Sequence, residues 1–347
     1  MKLQPAVRLE NGWCEALDRT VERLETALHR VYTCRYEGHV VAEGFHWGRL
    51  HIDSLECSPM GKGTSALACK ASTYAEALEW LAVQRRRDVP GYARIEAPPA
   101  SPESRMLEGL LGHIDLRPEQ IDEIRRSESA RHWVDGWSFS ADEATRLPLE
   151  YIHAISGTNG LAAGNCMEEA VVQGMNEIFE RRAVITAVKN RLVLPSIDPS
   201  SIAHGGIQGQ LKFLEDQGLQ VTIKDLSFGG VLPCVGVYFR DPAVDPGWQS
   251  HHVFKAAAHF DRTRALVSCL TEYIQLTASS HALGSAAAHH RMLCDDETDN
   301  FLPLFWFGYV PFQDAGFLEE GDGIAFDPGT AYPNCLEDIE RGQALLE

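Results

Sequence analysis

Apolar residues fall at helical spacing in some stretches of this chain and alternate with polar ones in others. Leu17, Val21, Leu24 and Leu28 make one stripe, which predicts an amphipathic helix across residues 15 to 36. Leu50 and Ile52 alternate with Arg49, His51 and Asp53 as in a strand, and SPMGKGTS at 58 to 65 reads as the turn that ends it. Tyr74, Leu78 and Leu81 then mark the apolar side of a helix from about Ala66 to Arg86, with Glu76 and Glu79 away from it. Residues 95 to 106, rich in Pro and Ser, read as a loop, 107 to 128 as helical in parts, and 133 to 155 as two strands, the second feeding a glycine-rich turn. A helix from about Glu168 carries Val172, Met175 and Phe179 on one face; ITAVKNRLVL extends it and SIDPSS ends it. A helix at 207 to 218, strands at VTIKDL, VLPCVGVYF and HHVFKAAAHF, and a helix from Arg264 to Gln275 follow. The aromatic run FLPLFWFGYVPF at 301 to 312 reads as a cover for a core.

The turn before the Glu168 helix is GTNGLAAGNC, residues 157 to 166. Its glycines and alanines admit close approach to the main chain, so its N–H groups can face an anion. On the helix itself Glu169, Gln173, Glu177 and Glu180 form a stripe of their own at spacings of four, four and three. Like charges so placed repel one another unless a cation lies among them. A divalent ion fits, and so does a plainly solvated helix face.

The same construction occurs three times. Gly63 precedes Glu76 by the same interval as Gly164 precedes Glu177 and His259 precedes Glu272, and three residues later stand Glu79, Glu180 and Gln275. Each unit is a strand, a small-residue turn, and a helix with a carboxylate on its polar face, which suggests quasi-repeated layers. If the layers share a centre, several carboxylates converge there, and unpaired they are not tolerated. Hard cations such as Mg2+, bound through oxygen and bridging to phosphate, neutralise such a set. Lys62 and Arg181 suit the phosphate, so a nucleoside triphosphate satisfies both charges.

Composition narrows the setting. A hydrophobic fraction of 44% is that of a globular core, and a formal net charge of −18 argues against nucleic acid as a partner. The opening MKLQPAVRLENGW lacks an apolar signal core, and no run approaches the ~18 apolar residues of a membrane span. A soluble cytoplasmic protein without membrane contact is expected. Nine cysteines without a CxxC pair read as reduced thiols, and no zinc-type Cys/His framework is present in the sequence.

GTNGLAAGNCMEEAVVQGMNEIFER, GKG at 61 to 63 with Glu76 and Glu79, DLSFGGVLPCVGVYFRDP at 225 to 242 and AHFDRTRALVSCLTEYIQ at 258 to 275 together resemble the signature of the YcaO family, in the family's order. The resemblance is strongest over 15 to 280, within a single domain of 1 to 347 whose segment 281 to 347 has no assigned role. It implies an α+β fold of the YcaO type, with strand-turn-helix layers around a central carboxylate-rich ATP and Mg2+ site. By similarity Glu76, Glu79, Glu169, Glu177, Glu180 and Glu272 would surround the metal ions. Asn165, Arg181 and Gln275 would contact nucleotide, with Thr20 near it. Trp80 and Ser268 stand where many relatives carry arginine; Arg264, one turn before Ser268, is the substitute for the second.

Family members use ATP to activate a peptide-bond oxygen, giving azolines or thioamides. The resemblance therefore implies a peptide or protein substrate, a partner that delivers it, and a homodimer. Two other classes stay open: a nucleotide-binding accessory factor without turnover, as in ribosomal-protein methylthiolation, and a cation-binding or structural protein that never meets ATP.

Overall fold

The structure, a computed structural model, describes residues 3–9, 12–53, 58–84, 92–95, 101–112, 117–139, 141–244, 251–282 and 316–346. Helix α1 (Leu17–His29) buries Val21 and Leu28 and stops well short of residue 36. The amides of Val31 and Tyr32 both return to the Leu28 carbonyl. The chain then becomes strand β1 (Cys34–Ala42), paired antiparallel with β2 (Phe45–Ile52) from Cys34 opposite Ile52 to Ala42 opposite Phe45. Ladder pairing outweighs the local helical spacing there.

GKG is a strand rather than a turn: β3 (Met60–Gly63) continues this sheet antiparallel to β2. Its glycines let α2 (Ala66–Gln84) press onto it. A Cβ at Gly61 would meet the Thr73 amide nitrogen at 2.2 Å, and one at Gly63 would meet that of Cys69 at 2.5 Å.

A small layer follows, made of β4 (Ala93–Arg94), α3 (Pro102–Gly112), α4 (Pro118–Arg126), β5 (His132–Ser138), β6 (Glu143–Leu147) and α5 (Leu149–Ser156), its strands ordered β4-β5-β6. Two expectations fail in it. The end of the Pro- and Ser-rich stretch, from Ser101, is a helix start, because Ser101 Oγ accepts the Ser104 N–H at 3.0 Å and Pro102 sits where no N–H partner is needed; residues 96 to 100 lie outside the described residues. The strand expected to feed the glycine turn is α5: Pro148 opens it, and Tyr151 packs with Trp133, Leu107 and Leu111.

The largest sheet takes its elements from the rest of the chain. These are α6 (Met167–Lys189), β7 (Ser196–Ile197), α7 (Gly205–Asp216), β8 (Gln220–Asp225), β9 (Cys234–Arg240), β10 (His252–Ala258), α8 (Arg262–Ala282), α9 (Gly316–Glu319), β11 (Gly323–Ile324) and α10 (Cys335–Leu346). Strand order is β10-β9-β8-β7-β11, antiparallel except where β11 runs parallel to β7. Strand alternation sorts the two faces. Tyr238, Phe254, Ala256 and Ala258 pack under Met175, Phe179 and Ala183 of α6. Val237, Phe239, Val253 and Ala257 pack with α7 and α8 through Leu211, Leu266, Leu270 and Tyr273, and Phe45 of β2 joins that core. Fully burying each large side chain of this kind contributes roughly 1.5–3 kcal/mol. Helix α8 thus lies between the two sheets, in contact with β2 and β3 as well as β9 and β10.

Helix α10 was not anticipated. It packs on α6, where Gly342 leaves room for the Met175 sulfur, and its Asp338 is ion-paired with Arg8. The aromatic run at 301 to 312 lies outside the described residues. Among the described residues, no helix is long and apolar enough to cross a membrane.

The first two repeat units share a physical detail. Gly164 lies against the Ala170 amide as Gly63 lies against that of Cys69, six residues on in each case, with a clearance to a built Cβ of only 2.4 Å. Backbone cannot yield as a side chain end can. Gly164→Ala is therefore expected to destabilise the fold by about 1–3 kcal/mol in chemical denaturation. Gly209→Ala, in open space on α7, should be neutral or slightly stabilising.

Candidate functional site

The turn between α5 and α6 reverses at Gly157 and Gly160, whose φ values of 59° and 83° favour glycine. Its amides do face anions, and those anions are the protein's own carboxylates. Gly160 N–H donates to Glu177 Oε2 at 2.9 Å and Ala163 N–H to Glu79 Oε1 at 2.7 Å. The turn therefore ties the carboxylate of α2 to that of α6.

Five of the expected glutamates interact electrostatically with one another: Glu76 and Glu79 of α2, Glu177 and Glu180 of α6, and Glu272 of α8. Arg181 reaches Glu180 at 2.8 Å, Glu177 at 3.2 Å and, through Nε, the Asn159 side-chain oxygen at 3.0 Å. Lys62 of β3 is ion-paired with Glu272, and Gln275, three residues on, donates to the Met60 carbonyl of β3 at 3.2 Å. Trp80 Nε1–H holds Glu76 at 2.7 Å. Glu177, Glu180 and Glu272 keep 22%, 17% and 29% of their side-chain exposure, so they line a cleft rather than a sealed core.

Titration directions follow from this crowding. Burial, then the neighbouring Glu76 charge, pushes Glu79 up to about 7. Burial also raises Glu180, against the pull of Arg181 and helped by Glu272 and Glu177. Burial raises Glu76 despite its bond from Trp80. Glu272 goes the other way: burial opposes its charge, but Lys62 and Lys255 hold it ionised. Five carboxylates thus face three cations, Lys62, Arg181 and Lys255. An all-oxygen donor set with surplus negative charge fits a hard divalent cation. Among the described residues no group of three or more His, Cys, Asp and Glu side chains is already arranged to hold a metal ion; Lys62 and Arg181 stand between the carboxylates instead.

Glu169 stands apart from these five. It is buried, and its two oxygens accept Cys14 N–H at 3.1 Å and both the backbone and side-chain N–H of Asn165 at 2.6 and 2.8 Å. Asn165 Oδ1 in turn accepts Thr20 Oγ1–H at 2.8 Å and Arg23 Nη2–H at 2.6 Å. Thr20, Asn165 and Glu169 therefore form a second cluster at the start of α6. Arg264 turns from the carboxylates to the Gly12 carbonyl, 2.8 Å away, under the Trp13 ring. Ser268 provides no cation on this face of α8. Cys166 is the residue before α6 and makes no capping bond; all cysteines among the described residues are free thiols.

Three participants were not expected: Lys255, Arg23 and Asn159. The sequence held a signal for Lys255, a single charge inside the apolar run HHVFKAAAHF. Arg23 and Asn159 lie in stretches where a polar residue is ordinary, so nothing set them apart.

The profile of the YcaO family, described as an ATP- and Mg2+-binding cyclodehydratase, matches residues 60–346. The ribosomal protein S12 methylthiotransferase accessory factor YcaO of Escherichia coli K12 is 30% identical over 137 residues, 39% of this chain and 22% of that protein. Two further relatives are matched over 41% and 57% of their own length, so the chain spans about half of them. Among solved structures, a heterocyclase in complex with substrate and cofactor superposes with a TM-score of 0.71 at 19% identity, over 99% of this chain and 50% of that one. A YcaO protein of Methanopyrus kandleri bound with AMPPCP and Mg2+ superposes with a TM-score of 0.63 at 19% identity, over 96% and 82%. These superpositions establish the fold.

The raised carboxyls carry a testable consequence. Glu79 titrates at about 7 when folded, against about 4.3 for an unperturbed Glu. Its folded form holds a proton that the unfolded form has released, so folding is penalised progressively as pH rises from about 4.3 through 7. His252, pushed down to about 4 by burial, contributes in the opposite sense. The comparison is therefore made against Glu79→Gln: in thermal melts without metal, wild type is expected to lose stability relative to this variant between about pH 5 and pH 8. Mg2+ should raise the wild-type midpoint more at the higher pH, where it meets no competing proton. An equal Mg2+ effect at both pH values would contradict the assignment.

Proposed function

The chain belongs to the YcaO family, whose members bind ATP and Mg2+, and on that premise we propose that it activates a backbone amide of a ribosomally made peptide or protein. The observation that carries this reading is the meeting of five carboxylates from α2, α6 and α8 beside Lys62 and Arg181 in one cleft. Glu76, Glu79, Glu177, Glu180 and Glu272 would hold the metal ions. Arg181, Lys62 and Gln275 would face the nucleotide from the same cleft, with Asn165 from just before α6 and Thr20 from α1. Glu169, expected among the metal ligands, takes in this reading the task of orienting Asn165, since both its oxygens are engaged. Arg264 serves to hold residues 12 and 13 rather than phosphate.

Amide oxygen is a poor leaving group. In the proposed reaction a nucleophile adds to the amide carbonyl, the oxygen takes the terminal phosphoryl group of ATP, and phosphate departs. A Cys, Ser or Thr side chain as nucleophile gives an azoline; sulfide gives a thioamide. Bound Mg2+ supplies the charge neutralisation that phosphoryl transfer chiefly requires. The chain's own part is positioning: Asn159 and two carboxylates fix the Arg181 guanidinium, and the turn amides of Gly160 and Ala163 fix Glu177 and Glu79. No covalent nucleophile is asked of the protein. A delivering partner protein, a homodimer, a single working domain over 1 to 347 and a cytoplasmic setting belong to the same proposal.

A second reading has its own support. Trp80 gives Glu76 a neutral N–H rather than a cation, Ser268 adds no positive charge, and the similar E. coli protein is named as an accessory factor. A chain that binds nucleotide without turning it over would carry such features. Calorimetric titration with ATP, with and without Mg2+, followed by phosphate release in the presence of candidate peptides, separates the two. Mg2+-dependent ATP binding and peptide-stimulated release are expected. Glu177→Gln should weaken the Mg2+-dependent binding by about tenfold or more, equivalent to about 1.4 kcal/mol. Binding without release favours the accessory role, and absence of binding sinks both.

A further inference from the structure

Trp80 is 40% exposed, too open for a core anchor, and its indole N–H turns inward to Glu76 Oε1 at 2.7 Å. Both residues lie on α2, one turn apart. Helical side chains lean towards the N-terminus, so the ring reaches back over the carboxylate four residues before it.

The five carboxylates of the cleft fall into two kinds by what they accept. Glu177 and Glu180 accept Arg181 at 3.2 and 2.8 Å, and Glu272 is ion-paired with Lys62. Glu76 and Glu79 accept neutral N–H groups at 2.7 Å each, from the Trp80 indole and the Ala163 amide. Lys62 acts on Glu76 from beyond ion-pair distance. A divalent cation arriving at the first three carboxylates meets a guanidinium or an ammonium, which repels it and has to move. At the α2 pair a neutral N–H can keep one oxygen while the other oxygen of the same carboxylate takes the metal. Ligating carboxylates are commonly held by an outer donor in this way, and losing the donor lowers metal affinity by roughly 10–100-fold.

Resting on the ATP and Mg2+ reading above, we infer that Trp80 is a positioning residue for the metal: its N–H fixes Glu76 through Oε1 and leaves Oε2 to the cation. The matching donor to Glu79 is a backbone amide, which no substitution removes. Trp80 is therefore the point at which this arrangement can be tested.

Equilibrium binding of ATP to the full chain across a titration of Mg2+ gives two readouts, the Mg2+ midpoint and the ATP affinity once Mg2+ saturates. Trp80→Phe keeps a ring and removes the N–H. It is expected to raise the Mg2+ midpoint by about tenfold and to leave the saturated ATP affinity within about twofold of wild type. Trp80→Gln removes the ring and restores a neutral N–H one turn from Glu76, so its midpoint should return to within about threefold of wild type. A Trp80→Phe midpoint within about twofold of wild type overturns the inference. An equal rise in both variants also overturns it, by assigning the effect to the ring. So does a loss of ATP affinity that persists at saturating Mg2+, the mark of a structural role. If wild type shows no Mg2+-dependent ATP binding, the proposed function falls first and this inference with it; if wild type binds and Trp80→Phe matches it, only the inference falls.

Discussion

Repulsion among five carboxylates in a half-buried cleft is the constraint on which the rest of this structure depends. Glu76, Glu79, Glu177, Glu180 and Glu272 come from three helices in different parts of the chain, and nothing in their own chemistry would bring them together. Apolar packing forces the meeting. Met175 and Phe179 anchor α6 to one face of the large sheet, and Leu266, Leu270 and Tyr273 anchor α8 to the other. The polar faces of the two helices then share the edge at β10. What the packing imposes, Lys62, Arg181 and the amides of Gly160 and Ala163 partly relieve. The remainder appears as carboxyls that resist ionisation.

Close backbone contact sets how near the carboxylates stand. Gly63 and Gly164 each lie against an amide six residues further on, so the turn hugs the first turn of the helix it precedes. The glycines in these motifs thus act first on geometry, and the turn amides are used internally rather than offered to a ligand. The third unit is built differently: His259 accepts the Asp261 N–H through Nδ1 at 2.9 Å, giving the turn a side-chain cap in place of a glycine. The echo among the three units is therefore partial: β3 runs into α2 and β10 into α8, whereas the second turn joins helix α5 to helix α6.

The two ends of the chain meet beside the second polar cluster. Arg8 is paired with Asp338, Cys335 N–H donates to the Ala6 carbonyl, and Cys14 N–H donates to Glu169, which holds Asn165. Residues 3 to 9 and 12 to 14 and α10 thereby become part of the support for Asn165, over a sequence separation that no local pattern can signal. The carboxylates that face the cleft and the carboxylate that steadies Asn165 look alike in sequence. They differ only in what surrounds them.

Much of the fold was legible from spacing. The helices at α2, α6, α7 and α8 and the strands β8, β9 and β10 lie where the apolar periodicity puts them, because one buried face writes itself into the sequence at period 3.6 or 2. The failures are local patterns that tertiary contacts overrode: residues after His29 joined a ladder, GKG became a strand under α2, and the aromatic stretch before the glycine turn became α5 around Tyr151. For the site, the sequence by itself determined which residue types could bind a cation and phosphate, and the repeated interval from turn to Glu. Only the tertiary structure decided that Glu169 contacts Cys14 and Asn165, that Arg264 contacts Gly12, that Lys255 acts on Glu272, and that the amides of Gly160 and Ala163 are already taken. The reason is physical: charge and hydrogen-bonding capacity belong to a residue, but the dielectric, the partner and the distance that decide its use belong to the elements packed around it.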